Sequence, residues 1–420
     1  MLDINFIRDN KELVERAIEI KRTEFDIDNL LETDEKRREL KTAVDKQRAE
    51  KNELSSQIGV ADTDEKRQDL ITTSQKLKEK LQEKEEKLKE VQKEWQALML
   101  QVPNIPDMSV PEGESEEDNQ ELKTWGEKPS FDFQPKDHVE LMKERGMADF
   151  ERGTKVHGFR GYFLKGDGAE LSWAIWNYAR RFFGEKNFEN FIAPAIVRKQ
   201  FLYGSGHLPS EAEDLYETQD EDYLSGTAEI PMMAYHADEV LDKSELPKRY
   251  LAFSPCYRRE AGSHGKDTKG LMRVHEFYKL EQLMLCEGTH QESVRLHEEI
   301  TELTEKFLQS LGLPYRQVII CGGDLKKSQV KSYDLELWVP SEERYREIAS
   351  MSYYHDFQTR RFNIKYQDEE GEKRYVHSLN GTAIATPRVL VALLENNQQA
   401  DGSITIPEVL HPFMNKKVIY

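Results

Sequence analysis

Residues 250–260 read YLAFSPCYRRE and residues 271–284 read LMRVHEFYKLEQLM. Both runs are predicted as strands, joined by a loop with glycines at 262, 265 and 270. Side chains alternate between the faces of a strand. Ala252, Ser254, Cys256, Arg258 and Glu260 therefore share one face of the first run, with Leu251, Phe253, Tyr257 and Arg259 on the other. On the return run Arg273, His275, Phe277, Lys279 and Glu281 fall together, opposite a mostly apolar set of Met272, Val274, Tyr278, Leu280 and Met284. A face of cations, carboxylates and one aromatic ring makes a poor core. It suits either solvent or a charged, planar ligand, where an arginine fork meets phosphate or carboxylate and Phe277 stacks on a base. The pattern alone leaves both open.

Residues 332–339 and 344–354 are predicted as a second pair of strands, so the body reads as an antiparallel sheet with helices, an α+β architecture. Near the C-terminus the small-residue run NGTAIA (380–385) precedes Thr386, Pro387 and Arg388. Thr386 is expected to cap a helix, with Pro387 in its first position and Arg388 in its first turn. A cation there opposes the helix dipole unless an anion answers it. There is no GxxxxGK[ST] and no GxGxxG after a strand, so neither large nucleotide-binding fold is indicated.

The first 102 residues differ in kind. They contain one glycine, Gly59, and no proline. Asp9 and Glu12 could form a capping box ahead of Leu13, Ala17 and Ile20, which have helical spacing. Leu70, Ser74, Leu77, Leu81, Lys84, Leu88, Val91, Trp95 and Leu98 alternate spacings of four and three, and a sparser stripe of Leu40, Val44, Leu54 and Ile58 precedes them with Gln47 and Lys51 in register. A turn at 59–64, with Asp64 as cap, makes this an antiparallel coiled-coil hairpin over about 34–100. At 1.5 Å per residue such helices reach roughly 50 Å, which predicts a projecting arm. The acid-rich stretch from Asp107 to Glu121 reads as linker, giving expected boundaries of 1–102, 103–125 and 126–420.

The net charge of −19 argues against nucleic acid as a partner when taken whole, yet residues 34–100 carry 16 basic and 16 acidic groups and are neutral. Cys256, Cys286 and Cys321 are widely spaced, which gives no disulfide framework, no zinc site and a reducing, cytoplasmic setting. No apolar run is long enough to span a membrane, and residues 1–10 do not read as a secretory signal.

Tyr257-Arg258-Arg259-Glu260 resembles motif 2 of the class II aminoacyl-tRNA synthetases. Residues 254–271, Thr227-Ala228-Glu229, the run ending in Glu281 and ENNQQADG at 395–402 resemble the seryl-tRNA synthetases in particular. Pro194 falls where motif 1 keeps a proline at the dimer interface, Arg388 falls where motif 3 keeps its arginine, and the start MLDI with a long hairpin is similar to the bacterial form. The resemblance implies a helical tRNA-binding arm followed by a class II catalytic domain, acting as a homodimer. It also implies ATP-dependent attachment of serine to tRNA(Ser), and to tRNA(Sec) where present, through seryl-adenylate. The tRNA would be met by the arm and by the 261–270 loop.

The same resemblance assigns roles. Serine would meet Thr227, Ala228, Glu229, Arg258, Glu281 and Thr382. ATP would meet Arg258, Arg259, Glu260, Val274, Phe277, Arg388 and the run Glu347, Ile348, Ala349 and Ser350, with magnesium at Glu347 and Ser350. Arg258 and Arg388 would be the catalytic cations. Strict alternation puts Glu347 and Ser350 on opposite faces, so a bulge is required between them. Ala349, Thr382, Pro387 and the run Met351-Ser352-Tyr353 depart from the family's usual residues. His264, His275 and His355 are candidates for proton transfer by residue type only. Competing readings are a synthetase-like binding protein without chemistry, an amino acid:carrier-protein ligase, and a class II ligase for another small amino acid.

Overall fold

Residues 1–262, 265 and 267–420 are described by the computed structural model. The expectations for Ser263, His264 and Lys266 in the 261–270 loop lie outside the described residues. The chain divides into two units: Leu2–Ile18 with Thr23–Pro103, and Met1 and Glu19–Arg22 with Asn104–Tyr420.

The first unit is helical. Asp3 caps α1 (Ile4–Asp9), so Asp9 ends a helix instead of capping α2 (Lys11–Ile20). Val14 and Ala17 are the buried residues of α2 and Leu13 is exposed, a correction to the expected stripe. The first hairpin helix, α3 (Ile27–Gly59), starts seven residues before 34 because the Asp26 carboxylate accepts from the Asn29 amide. The second, α4 (Asp64–Met99), is capped by the Thr63 hydroxyl and not by Asp64. Every member of the stripe from Leu70 to Leu98 is less exposed than a free surface residue, and Leu40, Val44, Gln47, Lys51, Leu54 and Ile58 face it in the same way. The antiparallel sense is fixed by contacts between distant residues: the Arg37 guanidinium lies 4.2 Å from the Trp95 ring centre, and Arg48 pairs with Glu85 at 2.7 Å.

The second unit is built on an eight-stranded sheet. In chain order its strands are β1 (Gln120–Trp125), β2 (Glu189–Ile192), β3 (Lys248–Tyr257), β4 (Glu276–Cys286), β5 (Tyr315–Ile319), β6 (Lys331–Val339), β7 (Arg344–His355) and β8 (His377–Thr386). Their spatial order is β1-β5-β6-β7-β8-β4-β3-β2, antiparallel except for the β2–β3 pair. The main core joins the sheet, through residues such as Leu280, Leu335 and Met351, to Ile175 and Phe183 of α5 (Asp167–Gly184) and to Ile300 and Phe307 of a long helix at His290–Ser310. A second cluster sets Met232 and Met233 of α6 (Glu229–Ala234) against Ala252, Leu283 and Leu285. Phe362 of a short helix at Phe357–Phe362 completes it.

Three expectations shift. Part of the segment read as linker, Gln120–Trp125, is an edge strand whose Trp125 stacks on Tyr315 at 5.9 Å. All six of its residues are exposed, so it carries no alternating apolar signal. The central hairpin is shorter than its sequence pattern: residues 258–260 and 271–275 lie outside the strands. Thr386 is the last residue of β8 and not a cap. Its hydroxyl donates to the Tyr278 carbonyl and accepts from the Trp176 indole, so Pro387 takes the cap position and the helix runs Arg388–Asn396. Among the described residues no helix is long and apolar enough to cross a membrane.

Candidate active site

The polar face predicted for the central hairpin exists within the strands and is buried at its inner end, whereas Phe277 is half-buried and Arg258 is exposed beyond the strand. Phe277 lies opposite Cys256, Lys279 opposite Ser254 and Glu281 opposite Ala252, so the two strands contribute one continuous floor. Lys279 and Glu281 are both under a tenth exposed and form an ion pair. At these two positions the face is not solvated. Bulges re-aim two further side chains onto the site. One, between β4 and β8, brings Thr382 directly opposite Glu281. The other interrupts β7 at Ile348, so that Glu336 faces Glu347 while Leu335 faces Ala349, and the Ser350 hydroxyl comes 3.4 Å from the Glu347 carboxylate. The parity of Glu347 and Ser350 demanded such a bulge.

At one end a cleft is lined by Arg258, Glu260, Val274, Phe277, Glu347 and Arg388, together with Ile348 and Thr382. The Arg258 guanidinium lies 5.4 Å from the Phe277 ring centre and donates to the Gly226 carbonyl at 3.4 Å. Glu260 is not on the strand face; its φ is +53°, and its carboxylate pairs with Arg273 at 2.5 Å. Asp267 ties Arg273 to Arg346, at 3.5 and 2.6 Å. Arg388 is held by the Met272 carbonyl at 3.0 Å and by the Glu347 carbonyl and carboxylate at 2.8 and 3.2 Å, so an anion does answer the cation at this helix start. Burial raises the Glu347 carboxyl, but the positive charges of Arg388 and Arg258 outweigh it and hold the group low. Burial and the charge of Glu347 push the neighbouring Asp334 up. Of these two carboxyls, Glu347 is the one kept ionised.

The other end is a carboxylate pocket. The Thr227 hydroxyl donates to Glu281 at 3.1 Å and accepts from the Glu229 amide at 3.2 Å. Ala228 is fully buried and offers only its backbone. Burial, and then the charge of Glu281, raise the Glu229 carboxyl to about 7. Gln358 donates to that carboxylate at 2.6 Å.

Two named residues stand apart. Arg259 is exposed beyond the end of β3, with its amide bonded to the Asp214 carbonyl, and Ala349 packs in the main core. His275 is tied to Arg258 through its ring and its carbonyl, whereas His355 lies beside His290 and His377. Sequence reasoning missed Gln358, Asp267 and the pair of Glu211 with Lys326 at 2.7 Å. Asp267 lies within the 254–271 run that resembles the family, but the resemblance assigns it no role; the others carry no periodic or motif signal, and each is defined by what folds against it.

Residues 1–106 match the seryl-tRNA synthetase N-terminal domain, and residues 213–397 match the class II tRNA synthetase core domain (G, H, P, S and T). The serine–tRNA ligase of Deinococcus radiodurans is 43% identical over 420 residues, which is 100% of this chain and 99% of that protein. The chain belongs to the seryl-tRNA synthetase family. It is therefore an aminoacyl-tRNA ligase of class II. Two solved structures of this family have the same fold. Seryl-tRNA synthetase from Pyrococcus horikoshii complexed with ATP superimposes with a TM-score of 0.91 at 37% identity, covering 100% of this chain and 99% of that one. Cytoplasmic serine–tRNA ligase from Naegleria fowleri in complex with AMP gives 0.87 at 32% identity, covering 100% and 98%.

Proposed function

We propose that this seryl-tRNA synthetase family member charges tRNA(Ser) with serine in two steps. The serine carboxylate attacks the α-phosphorus of ATP, pyrophosphate leaves and seryl-adenylate forms. The hydroxyl of the tRNA terminal ribose then attacks the acyl carbon and AMP leaves. The observation that carries this reading is a single continuous floor: a pocket of two carboxylates and a threonine adjoins a cleft with an arginine over an aromatic ring. Glu229 would face the serine ammonium, Glu281 and Thr382 would take its hydroxyl, and Arg258 its carboxylate and the α-phosphate. Phe277 would stack on adenine beside the Val274 backbone, with Glu260 helping to place the nucleotide and Arg388 on its γ-phosphate. The carboxylate nucleophile is already ionised, so positioning and charge neutralisation carry the chemistry and no histidine base is assigned.

ATP as substrate is supported by the ATP and AMP complexes of the two related structures. Magnesium would be held at Glu347 and Ser350, supplying charge neutralisation to the phosphates. Among the described residues no cluster of three metal-binding side chains occurs. A homodimer is proposed through the edge beyond β2, where Ile192 is 85% exposed with Ile196 and Trp173 also exposed. The helical hairpin is proposed to grip tRNA(Ser), and tRNA(Sec) where present, in the cytoplasm. ATP–pyrophosphate exchange with serine, threonine, alanine and cysteine in parallel, followed by charging of a tRNA(Ser) transcript, tests the reading. Exchange driven by another amino acid with kcat/KM equal to or above that for serine would overturn it.

A further inference from the structure

Gln358 connects three parts of the second unit. It is fully buried, as is Ser378, its neighbour on β8. The Nε2 group donates to the Glu229 carboxylate at 2.6 Å and to the Ser205 carbonyl at 3.1 Å, and Oε1 accepts from the Ser378 hydroxyl at 2.8 Å. A backbone carbonyl can only accept, so the amide has one permitted orientation and the NH2 end must face Glu229. An uncharged donor, locked from both sides, thus occupies one oxygen of a carboxylate that burial otherwise makes hard to ionise.

We propose that Gln358 is the positioning residue for Glu229, donating to its carboxylate and fixing it toward the substrate ammonium, with Ser378 holding Gln358 in that orientation. The inference rests on the reading that Glu229 meets the serine ammonium. Other groups act on Glu229 from several elements, and buried Tyr354 of β7 feels its charge. Glu281 opposes its ionisation from β4, whereas Lys279 of the same strand and Lys326 favour it. Thr227 engages only its backbone amide. Gln358 is the neutral side chain that donates to the carboxylate itself, and its effect is separable by pH.

Gln358→Met keeps the shape and removes the donor. Loss of a hydrogen bond to a charged group should lower kcat/KM for serine by about 10–100-fold near neutral pH, mostly through KM, with KM for ATP unchanged. The acid limb of kcat/KM against pH, which reports the free enzyme, should move upward, so that the variant recovers as pH rises. Gln358→Glu should behave in the opposite sense. A protonated carboxyl at this position can donate as the amide does, so the variant should approach the parent at low pH and fail as pH rises and the donor is lost. Ser378→Ala should give a smaller loss with the same direction of shift as Gln358→Met.

Opposite pH displacements of the Met and Glu variants in ATP–pyrophosphate exchange support the inference. A loss uniform across pH, with the acid limb unmoved, would show that Gln358 only fills space and overturns it. If Gln358→Met does not fold, as judged by its melting transition, the Gln358→Glu and Ser378→Ala profiles decide by the same criterion. Glu229→Gln distinguishes the underlying reading: parental KM for serine in that variant removes Glu229 from the ammonium site, whereas a raised KM there with parental Gln358 variants rejects the positioning role alone.

Discussion

Lys51 and Lys84 occupy the seam of the helical hairpin, and Lys279 occupies the floor of the sheet. The first two are half-buried and sit among leucines at helical spacing, where a long side chain can lay its stem on an apolar stripe. Lys279 is 7% exposed and paired with Glu281, beside Thr227 and Thr382. Along most of the hairpin the apolar contacts are made across one seam between two helices, so a polar residue within it costs little. In the floor the two charges answer each other along β4 and are closed in by Thr227 and by Thr382 of β8, so removing one leaves the other buried and unpaired. The same residue type is thus tolerated in one unit and indispensable in the other.

The comparison can be broken most severely by excision. Replacing residues 35–98 with a short linker should leave serine-dependent ATP–pyrophosphate exchange at the parental level while abolishing charging of tRNA(Ser), measured by aminoacylation; undiminished charging would give the hairpin another role. Within the floor, Lys279→Met should destabilise the protein by about 3–5 kcal/mol in denaturant titration, because Glu281 is left as an uncompensated buried charge beside Glu229. Arg258→Ala should slow exchange by about 10²–10³-fold, as loss of one preorganised cationic contact does. Exchange within tenfold of the parent would remove Arg258 from the site.

Smaller effects sharpen the contrast. Thr382→Ser keeps a hydroxyl opposite Glu281 and removes one methyl group. It should preserve serine activation and relax rejection of threonine by about tenfold, the lower end of what a methyl contact provides, read from kcat/KM in exchange. Unchanged discrimination would place the pocket wall elsewhere. Least of all, Lys84→Leu in the hairpin should change stability by less than about 0.5 kcal/mol and leave exchange untouched, in contrast to Lys279→Met. A large loss from Lys84→Leu would show that the seam is as interdependent as the floor.

Much of this protein was legible from repetition and parity alone. The nine-residue stripe from Leu70 to Leu98 emerged as the least exposed line of α4, because helical periodicity is set by the backbone and needs no knowledge of distant residues. Parity also placed Phe277, Lys279 and Glu281 on one face of β4, and it required the bulge that separates Glu347 from Ser350. Helix ends were less legible. Thr63 and Asp64 are both capping residues, and Thr386 was withdrawn from its expected cap by Trp176 and the Tyr278 carbonyl.

Tertiary structure alone decided the electrostatics. Glu229 and Glu281 are 52 positions apart in sequence, and Glu229 and Gln358 are 129 apart, yet the proton affinity of Glu229 depends on both. No spacing rule relates them, since each sits on a different element and the distances between them are set by how those elements pack. The sequence determined which faces exist. Which charges those faces bring into a common low-dielectric space, and therefore which carboxylates stay ionised, depends on desolvation and on partners that only the folded chain supplies.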